Sequence, residues 1–156
     1  DQFDDLQAEG VIFNNIGGIY DEVEFDGYDT IKALDSYKKS LAAFEVIDDR
    51  RGRGNSLSNI GFVLETMGYP SLTIIYLKQA VNIFEKIRID NRVLEQGLQE
   101  SFTEEVAGSY RKLADLLLQQ DRILEAQRVL DLLKVQELDD YLGGARSEAT
   151  TESGTP

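Results

Sequence analysis

Two stretches, DDLQAEGVIFNNIG at residues 4–17 and DDRRGRGNSLSNIG at residues 48–61, decide the fold. At a shift of 44, Asp4, Asp5, Gly10, Asn15, Ile16 and Gly17 fall on the identical residues Asp48, Asp49, Gly54, Asn59, Ile60 and Gly61. At a shift of 40, Lys38, Phe44, Glu45 and Ile47 fall on Lys78, Phe84, Glu85 and Ile87. Self-similarity at this period means stacked units sharing one elongated core. The four-residue difference between the shifts places an extra turn in the first unit, within Asp21 to Asp29, whose Asp, Glu and Gly content predicts a lengthened loop between two helices.

Around these anchors the apolar residues recur at steps of three and four, the period of a helix buried on one side. The predicted faces are Ile31, Leu34, Tyr37, Leu41 and Phe44; Leu57, Ile60, Leu64 and Met67; Leu72, Tyr76, Ala80, Ile83 and Ile87; Val106, Tyr110, Leu113 and Leu117; and Ile123, Ala126, Leu130 and Leu133. Gly68 is suited to close one helix and Pro70 to open the next, while Ser101 with Glu104 has the spacing of a capping box. From Arg88 to Glu100 we expect a helical extension broken near Gly97. The expected domain is 1–142, in units of about 4–47, 48–100 and 101–142. The Gly, Ser, Thr and Glu-rich residues 143–156 are expected to form a flexible tail or linker.

Composition narrows the function. With 29 acidic and 16 basic residues the net charge is -13, which repels a phosphate backbone, so no nucleic-acid partner is expected. Apolar runs are too short to span a bilayer, and no membrane partner is expected. Cysteine and histidine are absent, which excludes Cys/His and Ser/His/Asp catalysis within this chain, along with His-ligated metal sites. The acidic groups Asp4, Asp5 and Asp21, Glu22, Glu24, Asp26 lack the spacing of a calcium loop and read as solvated surface. The expectation is a non-enzymatic protein with no cofactor.

The spacing resembles the tetratricopeptide (TPR) repeat. Its first helix carries a Leu-Gly pair with an aromatic residue three further on, and its second helix a small residue twelve beyond the Gly. Ile16, Gly17 and Tyr20 match, as do Ile60, Gly61 and Leu64 with Thr73, and Leu113, Ala114 and Leu117 with Ala126. Gly17 to Ala33 is sixteen residues, twelve plus the inferred insertion. The resemblance implies an all-α fold, a right-handed α-α superhelix of about three helix pairs with longer helices and insertions. Residues 110–142 also resemble the last repeat before the caspase-like CHAT domain of bacterial TPR-CHAT proteins. That likeness implies a cytoplasmic protein in which the chain is the repeat region of something larger and regulates a C-terminal effector domain.

A TPR-like array implies a concave surface made by the first helix of each pair, binding a peptide or partner domain. On it we place Asn15 and Asn59, whose amides can donate to and accept from a peptide backbone together. Asn14, Phe62, Glu65, Arg111 and Asp115 share that side, with Gly18 and Ser58. The alternative for the asparagines is that they brace neighbouring helices. Asn14 and Gly18 stand where carboxylate-clamping TPR domains carry Lys and Asn, so a neutral or basic peptide is expected rather than an acidic tail. Self-association is a further option, because a truncated solenoid can leave an apolar end uncovered.

Overall fold

The computed structural model describes residues 2–24, 28–91 and 99–152, and the surroundings of the side chains of residues 2–24, 28–90 and 106–138. They form six helices: α1 (Gln2–Asp21), α2 (Thr30–Val46), α3 (Arg50–Thr66), α4 (Pro70–Asn91), α5 (Gln99–Gln119) and α6 (Ile123–Glu152). The fold is all-α, with three tightly packed helix pairs, α1–α2, α3–α4 and α5–α6, as in a TPR-like α-α solenoid of about three pairs. Two compact units are separated within α4, Asp1–Phe84 and Glu85–Pro156.

The two sequence shifts correspond to one packing contact made twice. A methyl group on Gly10 would sit 2.7 Å from the Phe44 ring, and one on Gly17 2.6 Å from the Tyr37 ring. In the next pair, a methyl on Gly54 would run into the Phe84 ring and one on Gly61 would meet Leu77 at 2.9 Å. Gly10 and Gly17 map onto Gly54 and Gly61 at 44, and Phe44 and Tyr37 onto Phe84 and Leu77 at 40. Each step forward along the first helix is a step back along the second, so the paired helices are antiparallel. The small positions of the second helices, Ala33, Thr73 and Ala126, are fully buried, as a close helix approach requires.

Between pairs, α3 packs on α2. Gly52 presses on the Phe44 ring, Ser56 Oγ lies 2.9 Å from Ser40 Oγ, and Ile60, Val63 and Leu64 form one core with Ala33 and Tyr37. Phe44 is thus held between Gly10 of α1 and Gly52 of α3. Of the aromatic residues on these helices, Tyr37, Phe44, Phe84 and Tyr110 are buried. Phe13, Tyr20 and Tyr76 are partly so. Ile31, Leu72, Ile123 and Leu130 of the predicted apolar faces are exposed instead: the first three lie in the first turn of a second helix, at its end rather than its middle, and on α6 the buried row runs through Ala126, Val129 and Leu133, beside Leu130.

Three connections, 47–49, 67–69 and 120–122, share one geometry. The middle residue is left-handed, with φ of 52° at Asp48, 82° at Gly68 and 57° at Asp121. The following N–H then donates back to a carbonyl of the last turn: Asp49 to Phe44 at 3.0 Å, Tyr69 to Leu64 at 2.9 Å and Arg122 to Leu117 at 2.9 Å. Asp49 next opens α3 by accepting from the Gly52 N–H at 3.0 Å. The longer connection of residues 22–29 lies where the insertion was inferred. It ends in Asp29, whose carboxylate caps α2 by accepting from the Ile31 and Lys32 N–H groups. The Lys32 N–H, more than the Lys32 charge or the Ile31 N–H, holds that carboxyl below its ordinary range.

Three boundaries differ from the sequence reading. Ser101 stands inside α5 rather than ahead of it, because Gln99 and Glu100 are already helical, so it does not cap that helix. The helical extension past Arg88 reaches Asn91, and the break expected near Gly97 lies outside the described residues. Helical backbone in α6 continues across Gly143 and Gly144 to Glu152, where composition suggested a tail. The helix formers Ala145, Arg146, Glu148 and Ala149 follow that glycine pair. Among the described residues no helix is long and apolar enough to cross a membrane.

Candidate functional site

In the first unit, α1 and α3 lie side by side and run the same way. Gln7 Nε2 donates to Asp49 Oδ2 at 3.3 Å, and seven residues along α1 Asn14 Oδ1 accepts from Asn59 Nδ2 at 2.9 Å. Between these two bonds opens a cleft of about 240 Å³ lined by Gln7, Val11, Asn14, Phe44, Asp49, Arg51, Gly52 and Asn55. Gln7, Val11 and Asn14 recur at four and three residues on α1, and Arg51 and Asn55 four apart on α3, so each set shares one helix face. The cleft is open between two first helices because Gly52 carries no side chain and Phe44, buried beneath it, supplies an apolar wall.

This lining mixes polar and apolar groups. It holds the side-chain amides of Gln7, Asn14 and Asn55, groups that both donate and accept, with the Arg51 guanidinium, Val11 and the Phe44 ring. Asp49 is engaged by the Gly52 N–H and by Gln7, which fixes the cleft's lower end to the start of α3. The Asn14–Asn59 bond uses only one atom of each amide. The other atoms, Asn14 Nδ2 and Asn59 Oδ1, take no part in it.

Of the residues placed on the concave side from sequence, Asn14 lines this cleft and Asn59 braces it through Asn14. Asn15, the next residue along, is exposed and does not line it. Phe62 and Glu65 are half-buried further along α3, and Ser58 is buried. Arg111 and Asp115 are exposed on α5 in the second unit. There Arg111 pairs with Glu137 at 3.2 Å and Asp115 accepts from Gln119 Nε2 at 2.9 Å. The sequence reading missed Gln7, Val11, Arg51 and Asn55. The signal for α1 was present, since Asn14 has Gln7 and Val11 one and two turns before it on the same face.

At the start of α3, Arg53 pairs with Asp48 at 3.0 Å. A second polar cluster lies inside the second unit. Glu85 Oε1 accepts from the Tyr110 hydroxyl at 2.8 Å and from Gln136 Nε2 at 3.2 Å, while Oε2 accepts from Arg88 at 2.7 Å. Burial, and then the Glu85 charge beside it, push the Tyr110 hydroxyl far above its ordinary value. The carboxylate is neutralised and hydrogen-bonded from three side chains, which fixes the end of α4 against α5 and α6 and makes the cluster a structural pin. Burial likewise pushes the Tyr37 hydroxyl up to about 12, with the Asp21 charge adding to it.

Comparison of the chain with protein-family models, with curated proteins and with solved structures finds no match.

Proposed function

We propose that the chain is a protein-interaction scaffold that takes a neutral or basic peptide segment of a partner into the cleft between α1 and α3. The observation that supports this is the lining itself: three side-chain amides on two parallel helices, over an apolar wall. The acidic balance of the chain favours a basic ligand and steers its approach. This reading gives the protein no reaction of its own, and turnover of a hydrolase substrate by the purified chain would contradict it.

Selection from a peptide library, followed by calorimetric titration, tests the proposal. A selected peptide should lose about tenfold or more in affinity with the pair Asn14→Ala and Asn55→Ala, and little with Asn15→Ala. Failure to select any peptide, or equal loss with Asn15→Ala, would sink it. The other reading, in which the domain restrains a CHAT-type effector, has the likeness of residues 110–142 as its support. The longer reading frame tests that one directly.

A further inference from the structure

The shift of 44 that aligns α1 with α3 also aligns their outer faces. α3 turns Gly52, Ser56, Ile60 and Val63 toward α2, where Ser56, Ile60 and Val63 are fully buried. The matching positions on α1 are Ala8, Ile12, Ile16 and Ile19. These lie on the side of α1 opposite the Gly10 and Gly17 stripe that meets α2, and Ile12 and Ile19 are 55% and 54% exposed. In the third helix pair the matching Ser109, Leu113 and Leu116 are buried. A helix face that meets only water is expected to be polar. Here α1 carries isoleucine where α3 carries Ser56 and Val63, so its outer side has the chemistry of a helix seam.

Charge says what kind of helix fits. Residues 1–31 contain nine acidic side chains and no Lys or Arg. The exposed Asp5, Glu9 and Glu22 border the apolar stripe. A second copy laid antiparallel on the same face by a two-fold axis would bring Asp5 and Glu9 of each copy toward Glu22 of the other, like charge against like. A helix with basic flanks meets the opposite situation.

We propose that the outer face of α1 docks an amphipathic helix of another polypeptide, antiparallel to α1 as α2 is to α3. Its small and apolar residues face Ala8, Ile12, Ile16 and Ile19, and Lys or Arg lies on its flanks. This face is separate from the cleft, which α1 lines with Gln7, Val11 and Asn14. The two surfaces can therefore fail independently.

The test uses two synthetic helical peptides with one Ala/Leu stripe, flanked by Lys in the first and by Glu in the second, titrated into the isotopically labelled chain. The Lys-flanked peptide should move the backbone resonances of Ala8, Ile12, Ile16 and Ile19, and bind at least about tenfold more tightly than the Glu-flanked one. The pair Ile12→Glu and Ile19→Glu should weaken it by about tenfold or more without lowering the thermal midpoint, because both side chains are half-exposed. Charge reversal at Asp5→Lys and Glu9→Lys, which leaves the apolar stripe intact, should invert the preference between the peptides. Binding by neither peptide, equal binding by both, or resonance shifts confined to Asn14 and Asn55 would overturn the proposal. A dimer of the chain that Ile12→Glu and Ile19→Glu abolish would do so as well.

Discussion

At the scale of single residues, two adjacent glycines separate the packing argument from simple helix propensity. A methyl on Gly17 would enter the Tyr37 ring at 2.6 Å, whereas one on Gly18 would meet nothing closer than the Tyr37 hydroxyl at 3.9 Å. Gly17→Ala should therefore cost about 1–3 kcal/mol by overpacking a seam between two helices. Gly18→Ala should gain up to about 1 kcal/mol, because alanine loses less conformational freedom in a helix interior. Thermal or urea unfolding of the two variants reads both signs; a stabilising Gly17→Ala would mean that α1 and α2 do not meet there. This position was legible from sequence because Gly17, Gly61 and Ala114 recur with Ala33, Thr73 and Ala126 at matched offsets, and small size at both places has one packing explanation. The asparagines were less legible. Asn14 and Asn15 are neighbours in sequence but point about 100° apart on a helix, and only the lean of α1 against α3 decides which one meets Asn59.

At the scale of elements, the three short connections show how the hairpins are closed. Each needs a left-handed residue after the helix, and the chain uses glycine once and aspartate twice. Glycine adopts that backbone without a Cβ penalty. Asp121→Gly is expected to stabilise by about 0.5 kcal/mol, the relief of left-handed strain less the added freedom of the unfolded chain, whereas Gly68→Ala should cost about 1–2 kcal/mol. Denaturant midpoints of the two variants check the opposite signs, and a neutral Gly68→Ala would contradict the shared closing geometry. Gly68 was readable in advance because glycine before proline is a strong stop signal. Asp48 and Asp121 were not, since aspartate is as common at helix starts as at these ends. Gln136 escaped notice for a related reason. A polar side chain at helical spacing reads as surface, and only the approach of Tyr110 and Glu85 makes it a buried partner.

At the scale of the molecule, the fold was more legible than the site because repetition amplifies weak signals while a cleft is made once. The pairs Gly10–Phe44 and Gly54–Phe84 each leave a trace in sequence, and their agreement at shifts of 44 and 40 establishes the hairpin twice. At the shift of 44 Gln7 falls on Arg51 and Val11 on Asn55, unlike residues, so no repetition marked them before α1 and α3 stood side by side. The cleft depends on the register in which one hairpin stacks on the next, and the outer face of α1 is read by its likeness to the seam so formed. That register is fixed at the α2–α3 seam, where Ser40 and Ser56 are buried with their Oγ atoms 2.9 Å apart. Because the chain has no cysteine of its own, the pair Ser40→Cys and Ser56→Cys can form only one intramolecular disulfide. The measurement is thiol titration and thermal unfolding of that variant after mild oxidation. The account predicts complete loss of free thiol in the monomer and a gain of about 3 kcal/mol over its reduced form, the constraint expected for a loop of this length. Two thiols that stay free in the folded monomer under those conditions would contradict the stacking that builds the cleft and from which the outer face of α1 is read.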